Sequence, residues 1–107
     1  MSKFTDFVDG IKDSAGVLAK DELKQLVRDG KADGSEFVKR QAANLESWTV
    51  MLADGDLTPA GYQKLVKKME VLGNLEALKL KVQTKAAAQR LANGIEDLVI
   101  NALFQLI

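Results

Sequence analysis

The segment 57–72, LTPAGYQKLVKKMEVL, contains a complete helix start followed by a helical apolar stripe. Thr58 is a capping residue, Pro59 suits the first helical position, and Leu57 can staple onto Tyr62. Tyr62, Leu65, Val66, Met69 and Leu72 recur at spacings of three and four, the period of one helix face. Lys64, Lys67 and Lys68 fall on the opposite side. Period-two alternation is nowhere sustained, so the spacing predicts helices and no strands.

On the N-terminal side, Phe4, Phe7, Val8, Ile11 and Leu18 share a helical face, and Leu23, Leu26 and Val27 carry a slightly rotated one. Gly16 and Lys20-Asp21-Glu22 lie between, so residues 3–29 read as a kinked helix or two short ones. Asp29-Gly-Lys-Ala-Asp-Gly34 is a turn, with Asp33 and Glu36 placed as a capping box. The next helix extends to about Ala53, with Phe37, Leu45, Trp48 and Leu52 along its face. On the C-terminal side the stripe shifts at Gly73-Asn74, which predicts a break there. A further helical segment spans 75–92, Asn93-Gly94 is placed to end it with a left-handed cap, and a last helix fills 95–106. The expected fold is all-α: an antiparallel helical bundle of four or five helices in a single domain, residues 1–107, which oligomerisation would complete.

Composition removes several functional classes. The chain has no Cys and no His, which excludes disulfides, thiolate metal sites, and Ser–His or Cys–His nucleophiles. The acidic turn at Asp29–Gly34 would place Lys31 and Arg40 at positions where a calcium loop needs oxygen ligands. The turn at Asp54–Thr58 puts Pro59 at its glycine position. No Gly-rich phosphate loop is present. The expectation is therefore a protein that is not an enzyme and uses no cofactor and no metal.

Charge is uneven although 15 bases balance 15 acids. Residues 64–90 hold seven bases and two acids, while residues 1–36 hold six bases and eight acids. No aromatic residues interleave with the bases, so nucleic-acid binding is not expected. The first ten residues lack the apolar core of a secretory signal, and no apolar run reaches the length of a membrane span. The resulting expectation is a cytoplasmic chain.

Two features point toward association. Gln41 falls at the centre of the Phe37/Leu45/Trp48/Leu52 face, where a buried amide can fix register or partner choice. The C-terminal third is apolar on two sides. Leu75, Leu78, Val82 and Ala86 form one face of the segment 75–92, and Leu80, Ala87 and Leu91 a second. In the last helix Ile95, Leu98, Val99, Ala102 and Leu106 form a stripe, with Ile100, Phe104 and Ile107 off it. Leu80, Leu91, Ile100, Phe104 and Ile107 are thus the expected interface, in a homodimer or with a protein partner. The leading functional reading is a non-catalytic helical protein acting through self-association and protein–protein contacts. The alternative is reversible binding of an apolar ligand or a membrane surface through the C-terminal helices. The lack of Lys, Arg and Trp in residues 95–107 argues against a membrane partner.

Overall fold

A computed structural model describes residues 3–107. Five α-helices follow in order: α1 (Lys3–Gly10), α2 (Lys20–Lys31), α3 (Glu36–Ala53), α4 (Pro59–Ala77) and α5 (Val82–Gly94). A π-turn (Ile95–Ile100) continues α5 without interruption, and a 3-10 turn (Leu103–Gln105) ends the chain. The described residues contain no strand, and the all-α class follows as the periodicity predicts. The short connections at 32–35 and 78–81 fold α3 back on α2 and α5 back on α4. α3 lies at the centre, touching α1, α2, α4 and α5.

Helix starts follow from local chemistry. At α4, Thr58 Oγ1 accepts a hydrogen bond from the Gly61 amide at 3.0 Å, and Pro59 takes the first helical position. At α3 the cap is Ser35 and not Asp33. The Ser35 hydroxyl accepts from the Val38 amide at 3.5 Å, while the Asp33 carboxylate accepts from the Ser35 amide at 2.8 Å and shapes the turn. Of the two readings for residues 3–29, two separate helices is the correct one. Residues 11–19 wrap around Asp13, whose carboxylate accepts from the Leu18 amide at 2.7 Å and the Val17 amide at 2.9 Å. Those amides, Leu18's most of all, hold the Asp13 carboxyl below its usual pKa. Gly16 makes the loop's tight bend at a φ of 68°. Lys20 Nζ donates to the Ile11 carbonyl at 2.7 Å and the Asp9 carbonyl at 3.2 Å, satisfying carbonyls left open where α1 ends.

The buried stripe of α3 is Val38, Ala42, Leu45 and Thr49. It is rotated from the expected Phe37/Leu45/Trp48/Leu52 face, and those three larger residues beside Leu45 lie half-buried at its margin. The rotation brings α2 close: a Cβ on Gly30 would lie 2.6 Å from that of Ala42. Thr49 is buried yet satisfied. Its Oγ1 donates to the Leu45 carbonyl at 2.6 Å and lies 2.8 Å from the Tyr62 hydroxyl. A carbonyl only accepts, so the Thr49 proton belongs to Leu45 and Tyr62 is the donor in the second bond. Burial pushes the Tyr62 phenol up to about 12; Thr49, by turning its proton toward a phenolate, offsets part of that.

The C-terminal half departs from the sequence reading at two glycines. α4 runs through Gly73 to Ala77, and the break falls at 78–81. Gly94 has a right-handed φ of −64° and does not end its helix. Both glycines are places of close approach, Gly73 to the Gln41 side chain and Gly94 to Leu26.

Gly30→Ala is expected to lower the Tm. Helix propensity gains about 1 kcal/mol, but forcing a methyl into the Ala42 contact costs about 1–3 kcal/mol. A thermal melt checks the sign, and adding Ala42→Gly relieves the clash. For Tyr62, a phenol pKa raised on folding stabilises the fold below the unfolded value near 10 and destabilises it as pH climbs toward 12. Tyr62→Phe is expected to cost about 1 kcal/mol at neutral pH, and to flatten the loss of stability above about pH 10 in denaturant titrations.

Candidate docking surface

The opposite side of α4 from its core stripe carries the most unusual surface. Tyr62, Val66, Met69, Gly73 and Ala77 face inward. On the outward side, Lys64, Lys68, Val71, Leu75 and Leu78 recur at alternating spacings of four and three and form one stripe, and Val82 opens α5 just across the turn. The first two positions of the stripe are lysines and its last three are aliphatic. Val71, Leu75, Leu78 and Val82 are 58%, 58%, 66% and 84% exposed, and Leu72 beside them is 49% exposed. The stripe ends at the 78–81 turn, so the apolar part covers the corner where α4 meets α5. Lys79 and Lys81 flank that corner in the turn itself.

An open groove of ≈ 340 Å³ between α3 and α4 adjoins the corner through Leu72 and is floored by Trp48, Leu65 and Met69. Lys68, Gln41 and Asn44 complete it. Glu70 points the other way, into a crevice with Gln41, Phe37 and Ile95. Burial, and then the nearby Glu96 carboxylate, raise its pKa above the ordinary carboxylate value. A second groove, ≈ 420 Å³, lies among α1, α2 and α3 and is lined by Lys24, Arg28, Lys31 and Glu46. Its lysines are engaged: Lys24 with Asp9 at 2.7 Å and Asp21 at 3.4 Å, and Lys31 with Glu46 at 2.8 Å. It is an ion-paired seam. Among the described residues no three Asp or Glu side chains converge as a metal ion would require. Asp54 of the second acidic turn instead pairs with Lys3 at 3.2 Å.

The five residues expected at an interface are largely covered by the chain itself. Leu91 is 4% exposed and belongs to the core, close to Gly30. Leu80, Ile100, Phe104 and Ile107 are half-buried and pack against that core. Phe104 sits edge-on to Tyr62, ring centroids 6.0 Å apart at 70°, with the Lys67 ammonium 6.0 Å from its own ring centre. Ile107 and Leu106 line a groove with Phe7 and Ile11 of α1. Within the single chain these residues do not form a second, uncovered face, and the reason is geometric. Residues 95–106 are not one α-helix. The Asn101 amide donates to the Glu96 carbonyl at 2.9 Å, an i→i+5 bond, and the Leu106 amide to the Leu103 carbonyl at 2.9 Å, an i→i+3 bond. On an α-helix Ile100 would stand about 140° from Ile95; the wider π-turn rotates less per residue and brings it closer to the Ile95 face. In the segment 75–92 the two faces exchange roles: Leu91 turns in, while Leu75, Leu78 and Val82 turn out.

Gln41 is half-buried at the margin of the α3 stripe, not its centre. It lies over Gly73, where an added Cβ would fall 2.8 Å from the Gln41 amide nitrogen. The outward stripe of α4 becomes readable in sequence once the helix is continued through Gly73; placing a break there hides it.

No protein-family model matches the chain, no curated protein matches it, and no solved structure matches it.

Phe104→Ala is expected to destabilise the monomer by about 2 kcal/mol, roughly half the usual cost of truncating a fully buried Phe, because the ring is half covered. Chemical denaturation checks this. The loss should be independent of protein concentration, as an intramolecular contact requires.

Proposed function

We infer that the chain is a non-catalytic helical protein that works by apolar contact of the α4–α5 corner with another macromolecular surface. One observation carries this reading: of the six exposed large apolar side chains among the described residues, five cluster at this one corner, and only Val17 lies elsewhere. A contiguous apolar patch on a small domain is costly to solubility and marks a contact surface. The groove among α1, α2 and α3 is lined by lysines already ion-paired and the one beside the corner is apolar-floored, which favours a contact role. The reading retains the interaction role expected from the sequence and moves its seat from Leu80, Leu91, Ile100, Phe104 and Ile107 to residues 71–82.

The combined variant Leu75→Ser, Leu78→Ser and Val82→Thr tests it. Its Tm is expected to stay within a few degrees of wild type, because exposed side chains contribute little to folding. In extracts of the source cell, wild-type chain is expected in sedimenting or high-mass fractions and the variant as free 11.7 kDa protein. A large fall in Tm would make the corner an internal structural contact. Wild-type chain found wholly free would remove the contact role.

A further inference from the structure

We propose that the surface on which this corner docks is an anionic lipid bilayer: Val71, Leu75, Leu78 and Val82 enter the boundary between headgroups and acyl chains while the lysines around them meet the lipid phosphates. The proposal rests on the contact role inferred above and names its occupant.

Charge is the first argument. The segment 64–90 holds seven bases and two acids, and the rest of the chain eight bases and thirteen acids. A neutral molecule is therefore divided into a basic pole, which contains the apolar corner, and an acidic remainder. One of the two acids, Glu70, is turned into the α4 crevice with Phe37 and Ile95. Among the described residues, Lys64, Lys68, Lys79 and Lys81 are not ion-paired with any carboxylate, in contrast to Lys24 and Lys31 on the other side of the fold. Unpaired lysines beside exposed aliphatics suit an interface that is anionic outside and apolar within.

Shape and area separate this occupant from others. The apolar side chains occupy a helix–turn–helix corner, and the most exposed of them, Val82, stands 84% free at its end. A projecting corner needs a partner that closes around it, and a fluid bilayer does so without a preformed cup. A second copy meets two obstacles. Five partly exposed aliphatic side chains offer a few hundred Å², short of the ~800 Å² per partner of a stable interface. A two-fold contact would also set two lysine-bearing surfaces against one another. No helix among the described residues is long and apolar enough to cross a membrane, so the contact lies on the surface. The absence of lysine from residues 95–107 does not weigh against it, because the apolar residues there are buried or half-buried and the exposed corner lies among lysines.

The test is co-sedimentation of the full chain with vesicles of phosphatidylcholine, with and without phosphatidylglycerol, at low and high salt. Wild-type protein is expected to bind the anionic vesicles, and tenfold or more weakly when phosphatidylglycerol is omitted or salt is raised. Lys79→Glu with Lys81→Glu is expected to lose the preference for anionic vesicles by tenfold or more at an unchanged Tm. The Leu75→Ser, Leu78→Ser, Val82→Thr variant is expected to lose binding to both kinds of vesicle. Undiminished binding by that variant would reduce the effect to general electrostatic adsorption and overturn the proposal. So would a wild type that ignores anionic vesicles. Sedimentation equilibrium then separates the two failures. A wild-type dimer abolished by the triple variant makes a second copy the occupant and keeps the contact role. A monomer throughout, with the chain free in cell extracts, ends the contact role as well.

Discussion

α2 and α3 lie against one another because Gly30 and Ala42 place almost nothing between them. That contact fixes the rotation of α3, and the rotation of α3 fixes the rest. With Ala42 turned to α2, Leu45 and Thr49 turn to the core, and Thr49 meets Tyr62 of α4 across a 2.8 Å hydrogen bond. Gln41, one residue before Ala42, is left at the edge, where it rests over Gly73 and sets how closely α4 approaches. Small residues thus decide what large ones touch. The energy comes from Leu23, Leu45, Tyr62, Val66, Ile95 and Leu103, all nearly inaccessible, but their mutual placement follows from the glycines and alanines between the helices.

This explains which parts of the architecture were legible in sequence. The helix at Thr58-Pro59 was, because a cap and a proline have one local meaning each. So was the all-α class, which depends on periodicity alone; the five helices fall within the expected four or five, although the breaks between the later ones lie elsewhere. The face of α3 was not. Counting large apolar residues selects Phe37, Trp48 and Leu52, whereas packing distance selects Ala42, and a buried threonine enters the stripe only because Leu45 and Tyr62 satisfy its hydroxyl. Glycine misled twice. Gly73 and Gly94 look like helix breakers in one dimension and act as clearances in three.

The candidate surface was legible in kind but not in place. Two-sided apolarity after residue 74 correctly signals that the C-terminal third carries more apolar surface than one stripe holds. Choosing which side is covered requires the geometry of residues 95–106, and the shift from π to 3-10 winding has no marker in residue type. The same winding draws Phe104 onto Tyr62 and, with α5 anchored by Leu91, leaves the α4–α5 corner outside. Lysine placement then gains meaning it lacks in a linear count: Lys64 and Lys68 occupy the same stripe as the aliphatics and are not merely the wet side of a helix.

The π-turn gives the length of the chain a structural value of its own. Wider winding stores one residue more than an α-turn over a similar rise. A single-residue deletion between 95 and 100 would let the turn close as α-helix with the seven residues beyond it in nearly their present orientation, whereas one more residue would turn them by about 100°. With that insertion Phe104 would leave Tyr62, and Leu103 would leave the core. The same insertion in the loop at 11–19, away from Asp13 and Leu18, would be absorbed by its bends. In descendants of this chain, insertions should accordingly gather in the first connection and be rare near the end, where a deletion is the change the winding tolerates.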